Sequence, residues 1–119
     1  MNRQTDLAWA AGFIDGEGTF GVQRQGGKKD IPYLQASQVD RQVLDRLASI
    51  IQNGKVYGPY TSKNPKDRPY YYYRLTGIRK TIEAGLLLLP YLSEIKHAQF
   101  NEQVLHKFAS MVKRQTPPP

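Results

Sequence analysis

The chain has 119 residues, contains no cysteine and carries a formal net charge of +7 from 17 Lys and Arg against 10 Asp and Glu. The absence of cysteine excludes disulfides and metal sites built from thiolates. No apolar run is long enough to cross a membrane, and the first six residues lack the pattern of a secretion signal, so we expect an intracellular protein. The positive charge favours a polyanionic partner such as nucleic acid, because binding to phosphates releases counterions.

The N-terminal third is predicted to form a helix followed by a β-hairpin. Thr5 is a suitable N-cap for a helix over residues 6–14, and the glycines at positions 12, 16 and 18 would close it. Alternating apolar and polar side chains predict a half-buried strand over residues 19–25. Adjacent glycines within residues 26–30 favour a turn, so a partner strand is predicted over residues 31–38.

The middle of the chain repeats this order of helix and hairpin. Asp40 is a suitable N-cap for a helix that extends to residue 52, where Asn53 and Gly54 would end it in the left-handed conformation. Its apolar stripe consists of Val43, Leu44, Leu47, Ile50 and Ile51. A second hairpin is predicted from strands over residues 55–61 and 70–76, joined by a polar loop.

Two further helices are predicted at the C-terminal end. One spans residues 78–89 and ends before Pro90, and Ser93 would cap the last. The apolar stripe of the last helix includes Ala98, Val104, Leu105, Phe108, Met111 and Val112. The order is therefore αββαββα, an α+β domain over residues 1–114 in which helices cover one face of an antiparallel sheet. Residues 115–119 are expected to be a flexible tail.

The segment from Ala10 to Gly18 places two carboxylates among glycines directly after the first helix. It reads Ala-Ala-Gly-Phe-Ile-Asp-Gly-Glu-Gly. In an extended backbone Asp15 and Glu17 would point to opposite faces, so one carboxylate can serve the structure while the other enters a cleft. The alternative is an acidic turn that only ends a helix.

This segment resembles the signature of the LAGLIDADG homing endonucleases, of which LAGFIDGEG is a typical variant. Eight consecutive residues, 11–18, match that variant, while Ala10 replaces its leading leucine. The resemblance covers nearly the whole chain, because αββαββα with a curved four-stranded sheet is the family's core. It implies a homodimer, since the family's active site needs two copies of the signature and this chain has one.

The resemblance also implies roles for residues in and before the motif. Glu17 aligns with the acid that binds the catalytic metal, expected to be Mg²⁺ with Mn²⁺ also possible, and the carbonyl of Gly16 would complete the coordination. Asp15 aligns with the earlier acid of the motif, which is usually structural. The paired signature helices form the dimer interface, for which the predicted residues are Ala8, Ala11, Gly12 and Asp15.

Two more residues resemble the family's catalytic positions. A polar residue of the second strand, often glutamine, orders solvent near the scissile phosphate, and Gln35 is the choice over Gln38 because alternation puts it on the open face. A lysine at the start of the last helix lies near the active site, and Lys96 resembles it. The alternative for each is an ordinary solvated side chain. His97 competes locally with Lys96 as a proton shuttle, although a surface position is expected for it.

The open face of the sheet is predicted to bind double-stranded DNA, with strand side chains in the major groove and loop cations on phosphates. The predicted DNA-binding residues are Gln23, Gln25, Lys28, Lys29, Tyr33, Gln35, Ser37, Lys55, Tyr57, Lys63, Lys66, Arg68, Tyr70, Tyr72 and Arg74. Alternation along 70–73 favours two tyrosines in the core and two on the open face, rather than a platform for stacking single-stranded bases.

The resemblance implies a site-specific, metal-dependent DNA endonuclease that makes staggered double-strand breaks at a long pseudo-palindromic target, intron-encoded or free-standing. Two alternatives remain. One is a catalytically inactive relative that binds nucleic acid, either a DNA regulator or an RNA intron maturase. The other is an adaptor that uses its helices as an interface. The expected location is intracellular and DNA-associated, in a bacterial or phage-infected cytoplasm or an organelle matrix, with no membrane or small-molecule partner.

Overall fold

The computed structural model describes residues 2–25 and 28–115. The elements are α1 (Arg3–Glu17), β1 (Gly18–Gln25), β2 (Lys28–Gln38), α2 (Arg41–Ile51), β3 (Lys55–Tyr60), β4 (Tyr70–Thr76), α3 (Ile78–Leu88), a 3-10 turn (Leu89–Tyr91), α4 (Glu94–Phe100), a π-helical turn (Asn101–Leu105) and α5 (His106–Gln115). The predicted α+β class and αββαββα order are confirmed, with the last predicted helix running through α4, the π-helical turn and α5. The predicted tail at 116–119 lies outside the described residues.

The four strands form one antiparallel sheet in the order β1-β2-β4-β3. Side chains alternate between its two faces. Along β2 and β4, Leu34, Ala36, Tyr73 and Leu75 are buried beneath the helices. Their neighbours in the strands point to the opposite face, which no helix covers in the described part of the chain, and we call this the open face. The predicted sides of both strands are therefore confirmed.

Helix α1 is longer than its sequence predicts. Asn2, not Thr5, is its N-cap, and its side chain accepts a hydrogen bond of 2.7 Å from the Thr5 N–H. The helix continues through Gly12 and Gly16 to Glu17, so that of the three glycines expected to close it only Gly18 does so, as the C-cap. Burial of Leu7 and Ile14 in the core outweighs the low helix propensity of glycine, which costs about 1 kcal/mol per residue. Asp15 and Glu17 are therefore helical rather than extended, and they diverge because residues two apart on a helix point about 200° apart.

Helix caps elsewhere largely follow prediction. The Asp40 side chain accepts from Gln42 N at 2.9 Å, and the Ser93 side chain accepts from Lys96 N at 3.3 Å. The left-handed residue that ends α2 is Gln52, one position before the predicted Asn53, followed by Gly54 at φ 89°.

The apolar stripe of the C-terminal helix was wrongly assigned at three positions. Phe100 is fully buried, whereas the predicted Ala98 and Met111 are exposed. At regular helical spacing a residue four positions before Val104 lies on the same side of the helix, whereas one six positions before it points about 120° away, so the helical period itself favours Phe100 over Ala98. Phe100 lies against α3, where an added Cβ at Gly85 would meet its Cε1 at 1.9 Å. Among the described residues, no helix is both long and apolar enough to span a membrane.

Candidate functional site

Glu17 is the last residue of α1, and its side chain is exposed where the helix turns into β1. It borders a hollow of about 180 Å³ at the head of the open face, lined by Glu17, Thr19, Tyr33, Gln35, Ala36 and Ser37. Gln35 of β2 is the cross-strand partner of Thr19 of β1, which lies two residues after Glu17 in the chain. The fold thus brings two of the three predicted catalytic residues, Glu17 and Gln35, to the rim of one hollow, whereas Lys96 is not among the residues that line it.

Asp15, two residues earlier, is tied into its own chain. Its carboxylate oxygens accept hydrogen bonds from the backbone N–H of Ser93 at 3.0 and 3.2 Å. Ser93 is the N-cap of α4, so this contact joins the last turn of α1 to the start of α4. The structural role predicted for this acid agrees with its contacts.

Lys96 lies under the start of β1 and is only 9% exposed. Its Nζ donates to the carbonyl oxygen of Gly18 at 2.7 Å and to Oε1 of Gln99 at 3.2 Å. The same Gln99 oxygen accepts from the Phe20 N–H at 2.9 Å. Neither ion pair within the described residues includes Lys96, so its charge is held by neutral oxygens and by the negative end of the α1 dipole. Lys96 is therefore a buried cation in contact with Gly18, the residue that follows Glu17, rather than a solvated side chain.

The centre of the open face is occupied by the guanidinium of Arg74. Nη1 donates to Oε1 of Gln35, and Nη2 donates to Oε1 of Gln23 at 2.7 Å. Cζ lies 4.2 Å from the ring centroid of Tyr33. Lys55 is the cross-strand partner of Arg74 in β3, which puts two cations side by side on this face.

The sequence matches no known family model and no curated protein sequence significantly. Solved structures do match the fold. An archaeal intron-encoded homing endonuclease complexed with DNA superposes with a TM-score of 0.71 at 17% identity, over 94% of this chain and 72% of that one. I-TnaI gives 0.69 at 23% identity over 92% and 74%. I-CvuI in complex with its target gives 0.67 at 22% identity over 92% and 71%.

The chain has the fold of the LAGLIDADG homing endonucleases. It spans only part of some members: 63% of I-CvuI in a complex with a second target, and 36% of the LAGLIDADG homing endonuclease I-GzeII. One copy of the αββαββα unit therefore corresponds to roughly a third of the largest of these matched chains, and Glu17 is the last acid of the one signature segment in this sequence.

In this homing-endonuclease fold the outer side of α1 carries small residues. Ala8, Gly12 and Gly16 are exposed, and an added Cβ at either glycine would meet nothing within 4 Å. Ala11, by contrast, is 0% exposed and belongs to the chain's own core. Its predicted place in a dimer interface was wrong, because Ala11 lies on the same side of α1 as the buried Leu7 and Ile14, four residues before it and three after it. Asp15 is half-buried and engaged by Ser93.

A cluster of four tyrosines occupies the open face beyond Arg74. The rings of Tyr57 and Tyr72 lie 5.1 Å apart, those of Tyr60 and Tyr72 5.4 Å, and those of Tyr60 and Tyr70 5.9 Å. A hydrogen bond with Tyr72, together with desolvation, raises the pKa of Tyr60 above its usual value. The cluster presents aromatic surface and hydroxyl groups next to the basic centre of the face.

Sequence reasoning missed Tyr60, since strict alternation from Tyr57 puts it on the helix side. A register shift between these two residues adds one position to β3 and returns Tyr60 to the open face. Gly58 allows the irregularity, with φ of 125° and only 2.9 Å between an added Cβ and the carbonyl oxygen of Tyr70. The signal was present, because a Gly-Pro pair inside a strand indicates a bulge or an edge.

The remaining predicted DNA contacts surround this face. Lys63, Lys66 and Arg68 are exposed in the loop between β3 and β4, and Lys29 is exposed near the start of β2. Ser37 is exposed on the rim of the hollow. The side chains of Gln25 and Lys28 lie outside the described part of the chain. His97 is half-buried, and its Nδ1 is 3.1 Å from the side-chain amide nitrogen of Asn101.

Proposed function

We propose that the protein is a site-specific, metal-dependent DNA endonuclease that acts as a homodimer. The observation that carries this proposal is the place of Glu17, an exposed carboxylate at the end of the signature helix and on the rim of a hollow at the head of the open face. Solved structures of the same fold include I-CvuI in complex with its target and I-LtrWI bound to target DNA.

The charge of the sheet supports DNA as the partner. The four strands contain a single acid, Asp30, and its carboxylate is 3.2 Å from Arg24. The cations in the strands are Arg24, Lys28, Lys29, Lys55 and Arg74. Two chains of +7 give 7 + 7 = +14 per dimer, so binding is expected to weaken steeply as salt rises.

A second copy of the chain would complete the site. Within the described residues, no three His, Asp or Glu side chains come together as metal ligands, and each chain brings one carboxylate to the hollow. No contact within the subunit requires glycine at position 12 or 16, because an added Cβ would meet nothing within 4 Å. Glycine at these two positions would let another helix approach the outer side of α1 closely. Two such helices side by side would bring both Glu17 carboxylates together, where cations would offset their repulsion.

The oxygen donors at the end of α1 fit a hard divalent cation. The Glu17 carboxylate is exposed, and Gly16 lies in the last turn, where helix carbonyls have no intrahelical donors and the dipole is negative. Such donors suit Mg²⁺, and also Mn²⁺. When bound, the metal would activate water and neutralise charge on the leaving oxygen.

Gln35, on the rim of the hollow, and Lys96, buried against Gly18, are proposed to assist Glu17. The ammonium of Lys96, held beneath Gly18, adds positive potential where charge builds on the phosphate. Gln35, on the rim, is placed to orient water, while its Oε1 is engaged by Arg74. Around a two-fold axis each subunit would read one half of a pseudo-palindromic target and serve one strand, giving a staggered break.

Cleavage of a plasmid library with randomised inserts in Mg²⁺, followed by sequencing of the ends, tests this function. We expect the wild type to cut a defined set of inserts and Glu17→Gln to cut none, while both bind the selected insert in Ca²⁺. Glu83→Gln is the matched control, because it removes the same charge from α3 on the helix side and is expected to cut normally. Cutting by Glu17→Gln at the wild-type rate would remove this carboxylate from the mechanism. Binding by the wild type without any cutting would favour the inactive nucleic-acid-binding alternative.

A further inference from the structure

The guanidinium of Arg74 is held by side chains from two other strands. Gln35 of β2 accepts from Nη1, Gln23 of β1 accepts from Nη2 at 2.7 Å, and Tyr33 of β2 lies under Cζ at 4.2 Å. Along the chain, Gln35 is 39 residues from Arg74 and Gln23 is 51 residues from it. Three side chains of the open face therefore orient the guanidinium of Arg74.

The chemistry of these contacts leaves Arg74 able to bind a ligand. Its partners are neutral amide oxygens and an aromatic ring, so the positive charge is not cancelled by a carboxylate. The one acid in the strands, Asp30, is occupied by Arg24 at 3.2 Å. A guanidinium has five N–H donors, and the two glutamine oxygens leave others available. Because its rotamer is already restrained, less conformational entropy is lost when it binds.

The position of Arg74 favours a base over a phosphate. It lies in β4, an interior strand of the sheet, and is half-buried among its partners. When a sheet face enters the major groove, its centre meets base edges and its rim and loops meet phosphates. The exposed loop cations Lys63, Lys66 and Arg68 are therefore better placed for the backbone. Arginine that reaches a base edge recognises guanine through O6 and N7.

We propose that Arg74 reads a guanine at one defined base pair of each half-site, and that Gln23 is a positioning residue that acts through Arg74. The sequence analysis predicts Gln23 as a direct DNA contact, and a bidentate contact of glutamine with adenine needs both its amide oxygen and its amide nitrogen. Its Oε1 is instead engaged by Arg74. The inference rests on the part of the proposed function in which the open face binds duplex DNA, and it does not depend on cleavage.

Selection from a library of randomised DNA duplexes in Ca²⁺, with sequencing of the bound fraction, tests the proposal. The wild type should enrich guanine at one symmetric pair of positions. Arg74→Met and Arg74→Lys should reduce that preference roughly 5- to 150-fold, with Arg74→Lys keeping more of the overall affinity because its charge remains. Gln23→Leu should weaken the preference at the same positions and leave the other positions unchanged.

Gln42→Leu, on the exposed side of α2, is the matched control for loss of a glutamine amide and should leave every preference intact. Thermal unfolding of each variant shows whether it is folded.

A uniform loss of affinity in both Arg74 variants, without a change in base preference, would make Arg74 a phosphate contact and overturn the proposal. So would a change at a different position in Gln23→Leu. If the wild type binds no duplex, this inference and the proposed function both fail; if it binds with this guanine preference but does not cut, only the proposed nuclease activity fails.

Discussion

The carboxylate of Asp15 and the backbone N–H of Ser93 meet at 3.0 Å, although 78 residues separate them in the chain. Three residues after Ser93, Lys96 donates to the carbonyl oxygen of Gly18 at 2.7 Å. These two contacts attach the start of α4 to Asp15 and Gly18, which lie before and after Glu17 in the chain. The proposed metal-binding acid is thus positioned by the C-terminal helical segment as well as by its own helix.

Substitution of Asp15 by Asn is expected to destabilise the subunit by about 1–2 kcal/mol, because a hydrogen bond to a charged acceptor is replaced by a weaker neutral one. Urea unfolding monitored by circular dichroism measures this change. Asp45→Asn is the control, since its carboxylate only forms an exposed pair with Arg41 at 3.6 Å and should cost under about 1 kcal/mol. Equal effects of the two substitutions would contradict a structural role for the Asp15–Ser93 contact.

Replacement of Lys96 by Met should abolish most DNA cleavage while leaving DNA binding in Ca²⁺ nearly unchanged. The methionine fills the same buried space but removes the positive charge beneath Gly18. Single-turnover cleavage and a binding titration on the same duplex separate the two effects. Lys107→Met removes the same charge from an exposed position on α5 and is expected to cut normally. Normal cutting by Lys96→Met would assign the buried lysine to stability alone.

Gly12→Ala is expected to weaken dimerisation without harming the subunit's fold. The added methyl meets no atom of the subunit, and alanine favours a helix by about 1 kcal/mol, so the monomer should be as stable as the wild type or more so. The methyl would separate two closely approaching α1 helices. Sedimentation over a range of concentrations measures the dimer's dissociation constant.

Gly85→Ala is the contrasting substitution for Gly12→Ala, because its methyl would collide with Phe100 and should lower the stability of the subunit instead. An unchanged dissociation constant in Gly12→Ala would place the dimer contact on another surface of the subunit.

Tyr73 is expected to make stability fall in alkaline solution. Burial raises the pKa of Tyr73 above its usual value, so the folded state retains a proton that the unfolded chain loses near pH 10. This contribution is fully present below about pH 10 and declines as pH rises beyond it, by at most about 1.4 kcal/mol per pH unit. Tyr73→Phe loses the 2.8 Å hydrogen bond to the Asn53 carbonyl, costing about 1 kcal/mol at neutral pH.

The comparison that checks this prediction is the difference in unfolding free energy between the wild type and Tyr73→Phe, measured from pH 8 to pH 11. The difference should shrink as pH rises, because only the wild type has the buried hydroxyl. A difference that stays constant across this range would show that the hydroxyl does not titrate differently in the two states. Tyr91→Phe, on an exposed tyrosine outside the sheet, controls for the general effect of losing a phenol.

Much of the local structure was readable from the chain alone. Asp40 and Ser93 were recognised as caps because a short polar side chain meets an N–H only two or three residues away. The alternation along Tyr70–Thr76 placed Tyr73 and Leu75 in the core, since strand side chains point alternately to two faces. The motif ending in Gly18 was recognised from contiguous residues and led to the fold that the solved structures share.

The tertiary structure alone decided the features that depend on contacts between distant residues. The packing of α1 carried the helix through two glycines to Glu17, and the register shift in β3 turned Tyr60 to the open face. Docking of the last helix buried Lys96 beneath Gly18. The pairing of β1, β2 and β4 brought Gln23 to Arg74. Local patterns set which way a side chain points within its own element, but strand register and helix docking, which are set by the whole core, determine the residue it meets.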